Sequence, residues 1–559
     1  MKNSEELRQQ LRSINRKSYP AYKGLKGLYH FGNYILSIDH VQGDPFASPS
    51  HVSIQISHRD AGFPDEYYKD TLTKTTLCDY LTRQFEKQVS QYSFRAKGSG
   101  KSGLLTVSHC GQEVLSRTAC EITEKGITAR FFVGFPANGR TINATELEKI
   151  LFDFLPVCIQ KSFFYSSLNA KELQNYIELA EDQEFIRQML PAKNLCAFIA
   201  DGSILPRESG ISSRPMKASV PFTSPDSLRI SMELPHKGKI TGMGVPKGIT
   251  LIVGGGYHGK STLLNALELG VYNHIPGDGR EYVITDATAV KLRSEDGRFI
   301  KDVDISMFIN DLPNKKDTRC FSTLDASGST SQAAGIVESI EAGSHLFLLD
   351  EDTSATNFMV RDAFMQQVIQ REKEPITPFL ERAENLYKKA GISTILVAGS
   401  SGAFFHIADT IIQMDNYVPR DITASTKALC AKYPLPAFCA PAFVSPHSHR
   451  IMTKTPQDRL KTKVSKTDGF SLGRQEIDLR YTEQLIDPEQ TATLSLLLKY
   501  AVENMIDGKR TLSEIVEDLE KKLKKEGMSF LSGGRQISCG YALPRLQEIY
   551  ACFNRYRRP

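Results

Sequence analysis

The sequence lacks the features of a membrane or secreted protein. No run approaches the roughly 18 to 20 consecutive apolar residues that a membrane-spanning helix needs, and residues 1–8 lack the apolar core of a secretory signal. The ten cysteines are scattered from Cys78 to Cys552 without a C-x-x-C pair, which disfavours a zinc module and suits reduced thiols. These absences, with 40% hydrophobic residues, predict a folded cytoplasmic protein without a membrane domain.

The length predicts several domains. A chain of 559 residues is too long for one hydrophobic core, so about three domains are expected. Short alternating stretches mixed with helical patterns predict an α+β domain over residues 1–190, and residues 191–430 alternate strand and helix patterns as a parallel α/β core does. The Pro- and His-rich stretch 433–449 is typical of a linker. Residues 431–559 are therefore expected to form a mainly helical, basic domain.

A glycine-rich segment fits the phosphate-loop pattern G-x-x-x-x-G-K-[ST]. It follows the apolar run 249–253 and precedes the helical pattern 263–267, which is the strand, loop and helix context that the pattern requires. Backbone N–H groups and the helix N-terminus would hold a polyphosphate, Lys260 would reach the β and γ oxygens, and Ser261 would ligate magnesium. The alternative is an unrelated glycine-rich turn. The predicted ligand-binding residues are Gly254, Gly255, Gly256, Tyr257, His258, Gly259, Lys260, Ser261 and Thr262.

A second apolar run, residues 346–349, ends in Asp350 and Glu351. In a nucleotide hydrolase, an aspartate in this position holds the metal shell and a following glutamate orients and deprotonates water. Many buried strands end in an acid, so the alternative is a structural carboxylate. The order along the chain, phosphate loop first and carboxylates second, favours nucleotide hydrolysis.

These two segments, with the loop 326–330 between them, resemble the ABC-type ATPases. In that family a Leu-Ser-Gly-Gly-Gln signature precedes the aspartate-glutamate strand and completes the site of a partner subunit. Ser327 lies 23 positions before Asp350, so Ser327 and Gly328 correspond to the signature serine and first glycine, while Ser329 and Thr330 replace its second glycine and glutamine. The resemblance implies that Ser327, Gly328 and Ser329 contact a γ-phosphate across a head-to-tail homodimer. The alternative is a Ser/Gly-rich loop before an ordinary helix.

Two positions depart from the ABC pattern. The apolar run 394–398 leads into Gly399 and Ser400, where the family usually carries a switch histidine, and Ser400 is a weak candidate substitute. His406 lies too late and is expected to be packed or solvated. Asn310 stands where a glutamine loop is expected and could approach the magnesium shell.

The resemblance extends to a particular family, the predicted ATPases of the ABC class. It is carried by HVQGDPFASP at residues 40–49, HIPGDGRE at 274–281, EDGR at 295–298 and DTSATNFM at 352–359. It implies ATP and Mg²⁺ as cofactors, with Glu351, Lys260 and Ser327 in catalysis and Ser261 and Asp350 as metal ligands. It also implies a homodimer and, from one branch of the family, an association with RNA.

The charge distribution bears separately on RNA. The net charge is only +5, but basic side chains are clustered: Arg8, Arg12, Arg16 and Lys17 precede Tyr19, Tyr22 and Tyr29, and Lys454, Arg459, Lys461, Lys463 and Lys466 form a second group. Basic groups with tyrosines could follow phosphates and stack on bases; the alternative is a set of solvated basic faces. A competing hypothesis for the whole protein is an ATP-gated switch for protein assembly, with slow turnover and no nucleic acid.

Three isolated side chains carry weaker expectations. Phe222 could stack on adenine, although an aromatic after a proline is more often part of the core. Arg280 and Arg298 could steady phosphates, but local pairing is the simpler expectation for both.

Overall fold

A computed structural model describes residues 1–361, 368, 373–435, 440–446, 449–453 and 460–557. Lys454 and Arg459, and parts of the expected linker 433–449, lie outside the described residues. The chain divides into two compact units: residues 1–181 with 526–543, and residues 182–525 with 544–559. Within the described residues, no helix combines the length and apolar character needed to cross a bilayer.

The first unit contains a seven-stranded sheet, in which β1 to β5 and β7 follow the spatial order β1-β2-β3-β4-β7-β5 and β6 also pairs with β7. Alternate residues of the long strands β4 and β7 are buried in the core of this unit, as expected for a sheet with a covered face. The small hairpin 137–142 lies outside this sheet. The strands are β1 (Lys2–Asn3), β2 (Gly27–His30), β3 (Ile35–His40), β4 (Ser50–Ile56), β5 (Leu105–Thr106), β6 (Cys120–Thr123) and β7 (Gly126–Val133), and the hairpin strands are β8 (Ala137–Asn138) and β9 (Thr141–Ile142).

The second unit is built around a six-stranded sheet with the order β17-β20-β21-β15-β22-β23. All neighbouring pairs are parallel except the last, β22 with β23. The strands β15, β20 and β21 are fully buried, which explains why the sequence shows them as continuous apolar runs. The strands are β15 (Ile249–Val253), β17 (Val290–Leu292), β20 (Leu346–Asp350), β21 (Ser393–Val397), β22 (Thr410–Asp415) and β23 (Val418–Asp421).

A second, antiparallel sheet of the same unit has the order β13-β14-β10-β16. It is accompanied by two separate hairpins, β11-β12 and β18-β19. The strands are β10 (Leu195–Ala200), β11 (Arg207–Ser209), β12 (Ser212–Pro215), β13 (Arg229–Leu234), β14 (Gly238–Pro246), β16 (Val283–Thr285), β18 (Arg298–Val303) and β19 (Phe321–Ala326).

Side-chain caps start several of the helices. Asn169 accepts a hydrogen bond from the Glu172 N–H at 3.2 Å, and Ser327 caps the helix that follows it, as short polar residues commonly do. The described α-helices are α1 (Ser4–Ile14), α2 (His58–Ala61), α3 (Thr71–Ser90), α4 (Ala144–Glu148), α5 (Leu155–Phe163), α6 (Ala170–Ala192), α7 (Lys260–Leu269), α8 (Gly328–Glu341), α9 (Thr356–Met359), α10 (Phe379–Ala390), α11 (Phe404–Ile407), α12 (Thr423–Cys430), α13 (Pro488–Asn504), α14 (Leu512–Glu526) and α15 (Leu546–Asn554).

The C-terminal region combines the helices α13, α14 and α15 with a small three-stranded antiparallel sheet. Its strands are β24 (Thr462–Ser465), β25 (Gly469–Leu472) and β26 (Gln475–Asp478). The sequence predicted the helices but not this sheet. The predicted fold class, a P-loop α/β core with an N-terminal α+β region and a helical C-terminal region, is confirmed.

Candidate functional site

The loop 254–259 connects the buried strand β15 to helix α7 and closes around the Lys260 ammonium. Lys260 Nζ donates hydrogen bonds to the carbonyl oxygens of Gly254 at 2.7 Å and Gly255 at 2.9 Å. Gly254 and Gly259 have φ angles of +143° and +98°, which side chains rarely adopt. The strand, loop and helix of the predicted phosphate loop are therefore present, with Ser261 exposed on the first turn of α7.

His258 joins this loop to the turn between β22 and β23. Its Nδ1 accepts a hydrogen bond from the Asn416 N–H at 2.9 Å, and its carbonyl accepts one from the Tyr417 N–H at 3.1 Å. Its side chain is therefore held against the turn. Tyr257, in contrast, is 99% exposed.

The carboxyl ends of β20 and β21 bring Glu351 to Ser400. Glu351 Oε2 accepts hydrogen bonds from the N–H groups of Gly399 at 2.7 Å and Ser400 at 3.0 Å, and the Ser400 hydroxyl donates to Oε1. Burial acts to raise the pKa of Glu351, but these hydrogen bonds outweigh it and hold the pKa below its usual value. Glu351 is thus kept ionised, in the state that a general base requires.

Asp350, at the end of β20, is nearly buried. Burial is the main cause that raises its pKa, and the Asp352 N–H donates to its Oδ1 at 3.2 Å. Carboxylate and hydroxyl oxygens are the ligands that Mg²⁺ prefers. Asp350 and the exposed Ser261 supply such oxygens from the same edge of the sheet, so their chemistry fits the predicted metal.

Ser327 is exposed at the N-terminus of α8. Its Oγ lies 2.8 Å from Thr330 Oγ1 and accepts a hydrogen bond from the Thr330 N–H at 3.4 Å. Gly328 is half-buried, and Ser329 is buried with its hydroxyl accepting from Asn357 Nδ2 at 3.4 Å. The signature-like turn is therefore at the surface, with Ser327 as its accessible side chain and Ser329 bonded within the subunit.

A cavity of about 560 Å³ lies beside the phosphate loop. It is lined by the start of α7, by the segment 205–222 that contains the β11-β12 hairpin, and by Met414 and Tyr417. Phe222 lines it but is only 2% exposed, which fits the packing alternative. Arg280 also lines it and donates to the carbonyls of Leu205 and Asn265.

The local-pairing alternative is also confirmed for Arg298, which forms a buried ion pair with Glu338. Asn310 uses its side-chain amide locally, because Nδ2 donates to the Ser306 carbonyl at 2.7 Å. Its expected approach to a metal shell stays a prediction.

The N-terminal cluster does not support base stacking. Tyr19, Tyr22 and Tyr29 are at most 1% exposed, so the prediction that these rings stack on bases is wrong; their hydrophobic rings pack in the core of the first unit. Arg12 pairs with Glu148 at 2.9 Å, and Arg8 pairs with the same carboxylate at 3.1 Å. By contrast, Lys461, Lys463 and Lys466 are exposed around the β24–β26 sheet.

Sequence reasoning missed the turn 416–417 and the cavity that it borders. The only available signal was the pair Asn416-Tyr417 after the largely apolar run 410–414, a position where Asn-Gly would have indicated a hairpin. It also missed the hydrogen bond between Ser400 and Glu351, because a serine gives no indication of which carboxylate it will contact. The role of Ser400 as a substitute for the switch histidine stays a prediction.

Three family profiles match successive parts of the chain. Residues 4–166 match "ATPase of the ABC class N-terminal", residues 169–449 match the P-loop domain of ABC ATPases, and residues 461–559 match the "MRB1590 C-terminal domain". Together these matches account for nearly all of the sequence.

Similar individual proteins add less. "Uncharacterized protein MJ1628" of Methanocaldococcus jannaschii is 32% identical over 231 residues, which are 39% of this chain and 50% of that protein; the chain thus spans about half the length of this relative. The match to the ADP conformation of MJ1267, an ATP-binding cassette of an ABC transporter, has a TM-score of 0.23 and 13% sequence identity. It covers 35% of this chain and 88% of the MJ1267 chain. The match to a bacterial Atm1-family ABC exporter with ATP bound has a TM-score of 0.23 and 14% sequence identity. It covers 43% of this chain and 41% of the exporter chain. These TM-scores are too low to support a conclusion.

A Ser400→Ala substitution should raise the pKa of Glu351. The variant removes the hydroxyl donor and keeps the backbone donors of residues 399–401, so the carboxylate loses part of what holds it ionised. A glutamate whose pKa is lower in the folded than in the unfolded chain stabilises the fold at pH values above the unfolded-state pKa, and this stabilisation is lost as the pH falls through the folded-state pKa. In Ser400→Ala the stabilisation should therefore be smaller, and acidification should remove it at a higher pH than in the wild type. Carbon-13 NMR titration of labelled glutamate measures the shift. Ser401→Ala removes a neighbouring hydroxyl and serves as control; an equal pKa in both variants would contradict the assignment.

Proposed function

The chain belongs to the family of ABC-class P-loop ATPases, and we propose that it binds Mg²⁺-ATP and hydrolyses it at a site completed by a second copy of the chain. The observation that carries the proposal is the convergence of the Lys260 loop and the Glu351 carboxylate at one edge of a parallel sheet. Ligands bind at this edge in open α/β sheets.

Each group has a defined task in this mechanism. The loop N–H groups and Lys260 hold the β and γ phosphates, and Lys260 offsets the charge that develops during transfer. Ser261 and Asp350 would hold Mg²⁺, which supplies further charge neutralisation when bound. Glu351, kept ionised by its contacts with Gly399 and Ser400, orients the attacking water and accepts its proton.

The second copy contributes the Ser327 turn. Ser327 is exposed and caps α8, a helix of 14 residues, whose N-terminal N–H groups and dipole favour an anion. We propose that this turn faces the γ-phosphate bound by the partner, so that the two copies associate head to tail and separate after hydrolysis.

Glu351→Gln should greatly reduce turnover while leaving ATP binding intact. The amide keeps the shape of the side chain but cannot accept a proton, so kcat should fall about 100-fold or more. Phosphate release measures turnover, and light scattering after size exclusion should show ATP-dependent accumulation of dimer. Glu384→Gln alters an exposed carboxylate on α10 that pairs with Lys388 and is the matched control. Undiminished turnover in Glu351→Gln would contradict the role of Glu351.

Complementation tests the head-to-tail arrangement. Lys260→Ala and Ser327→Arg homodimers should both be inactive, because each lacks one half of both sites. Co-expressed, the two variants should recover about a quarter of wild-type turnover, since about half of the dimers are mixed and each mixed dimer has one complete site of two. No recovery in isolated mixed dimers, purified through two different affinity tags, would contradict the shared site.

We further propose that the cycle acts on RNA or on a ribonucleoprotein. The family resemblance suggests this partner, and Lys461, Lys463 and Lys466 support it because they are exposed and make no ion pair within the part of the chain that the structure describes. Lys463 lies on the same face of the small sheet as Glu476, but Ser471 of the middle strand separates them. Free ammonium groups bind phosphates with a strong dependence on salt.

Replacing Lys461, Lys463 and Lys466 by glutamate should weaken single-stranded RNA binding about tenfold or more. The slope of log affinity against log salt should fall by about two, because each lost contact removes about 0.7. Filter binding across a salt series measures both quantities. The control carries Lys388→Glu, Lys521→Glu and Lys524→Glu, which replace lysines already paired with carboxylates. If the wild-type chain shows no salt-sensitive RNA binding, the proposal that RNA is the partner is contradicted, and the ATP-gated protein-assembly switch is favoured.

A further inference from the structure

The cavity beside the phosphate loop has the size and lining of a small-molecule site. Its volume of about 560 Å³ is within the usual range of about 300 to 1,000 Å³ for ligand pockets. Gly259 and Thr262 of the phosphate loop and α7 form one wall. A nucleotide with its phosphates on the loop would therefore have this cavity next to its sugar and base.

Two aromatic rings line the cavity, and they differ in accessibility. Phe222 is 2% exposed, whereas Tyr417 is 46% exposed. Stacking on a base requires an open ring face. Tyr417 has the exposed surface for this contact, whereas the ring of Phe222 is buried.

The backbone at Tyr417 is in a conformation that disfavours tyrosine. Asp415 pairs with Val418 across the hairpin, which leaves Asn416 and Tyr417 as a two-residue connection with φ angles of +49° and +69°. Such turns favour asparagine at the first position and glycine at the second, so a bulky residue at the second position is strained. Placing a tyrosine at this backbone conformation therefore costs conformational energy that a glycine would avoid.

The turn is also fixed to the phosphate loop. His258 accepts hydrogen bonds from the N–H groups of both Asn416 and Tyr417, at 2.9 and 3.1 Å. A Cβ atom on Gly259 would lie 2.8 Å from Tyr417 Cδ1, so the ring is packed against the residue that precedes Lys260. These contacts hold the ring at a set position relative to the phosphates.

We propose that Tyr417 stacks on the nucleobase of the bound nucleoside triphosphate. The inference rests on the proposed function, because it requires the phosphates to bind at residues 254–262. Tyr417 would then contribute affinity for the base, while Lys260 and the loop contribute affinity for the phosphates.

Binding of ATP and of inorganic tripolyphosphate separates these two contributions. Tyr417→Gly should weaken ATP binding about tenfold or more, the loss expected for one stacked ring, and should leave tripolyphosphate binding unchanged. Its melting temperature should be unchanged or higher, because glycine accepts a positive φ. Tyr417→Phe retains the ring and should bind ATP like the wild type. Isothermal titration calorimetry and thermal unfolding provide the measurements.

Two results would overturn the assignment: wild-type ATP affinity in Tyr417→Gly, or an equal loss of ATP and tripolyphosphate, which would mean that the turn only supports the loop. Phe222→Leu is the comparison, and a larger selective loss of ATP in that variant would assign stacking to Phe222. If the wild-type chain binds neither ligand, or if Lys260→Ala binds both normally, the phosphate site itself fails and the Tyr417 assignment fails with it.

Discussion

The structure depends on the alignment of β20, β21 and β15 as neighbouring parallel strands. Parallel strands end at the same edge of a sheet, so three segments far apart in sequence leave the sheet side by side. One carries Asp350 and Glu351, the next carries Gly399 and Ser400, and the third opens into the phosphate loop. Backbone pairing between the strands brings these segments together. The hydrogen bonds from the N–H groups of Gly399 and Ser400 then fix the position of the Glu351 carboxylate.

The orientation of the Ser327 turn has a different origin. Its helix, α8, ends near Glu338 and Glu341, which pair with Arg298 and Arg450 in buried ion pairs. Ser513 of α14 also donates to Glu341 at 3.2 Å. Removing one partner of a buried pair leaves an uncompensated charge at a cost of about 3 to 5 kcal/mol. Contacts at the C-terminal end of α8, including those from the C-terminal region, therefore help to hold the helix. Hydrogen bonds near its N-terminus, such as Gln332 to Ser354 at 3.0 Å, hold the other end.

The sequence predicted the parts of the site that are local. The phosphate loop, the acidic end of β20 and the presence of a helix after the Ser327 turn were all recognised because each is a short segment with its own periodicity and turn chemistry. The cap itself was not: the sequence placed the start of that helix near Ser331, and the structure starts it at Gly328. The fold class followed from the alternation of these segments. Contacts between distant segments were not predictable in this way: neither the Glu351–Ser400 pair nor the His258–Asn416 hydrogen bond has a spacing rule. The sequence also failed to predict which aromatic residues are buried. The position of Tyr19, Tyr22 and Tyr29 beside basic residues indicated a surface, but all three lie in the core.

A serine at position 400 changes the electrostatics that a histidine would give. Histidine gains or loses its charge between about pH 5 and 8, whereas a serine hydroxyl does not titrate in that range. Glu351 and its neighbour Asp350 are then the acidic groups at this corner, and the lowered pKa of Glu351 keeps that side chain ionised at neutral pH. Unlike a protonated histidine, Ser400 also supplies no positive charge near a γ-phosphate. If the proposed hydrolysis is correct, Lys260, the metal and the partner's helix N-terminus must provide all of the charge neutralisation, which accords with a site completed only when two copies meet.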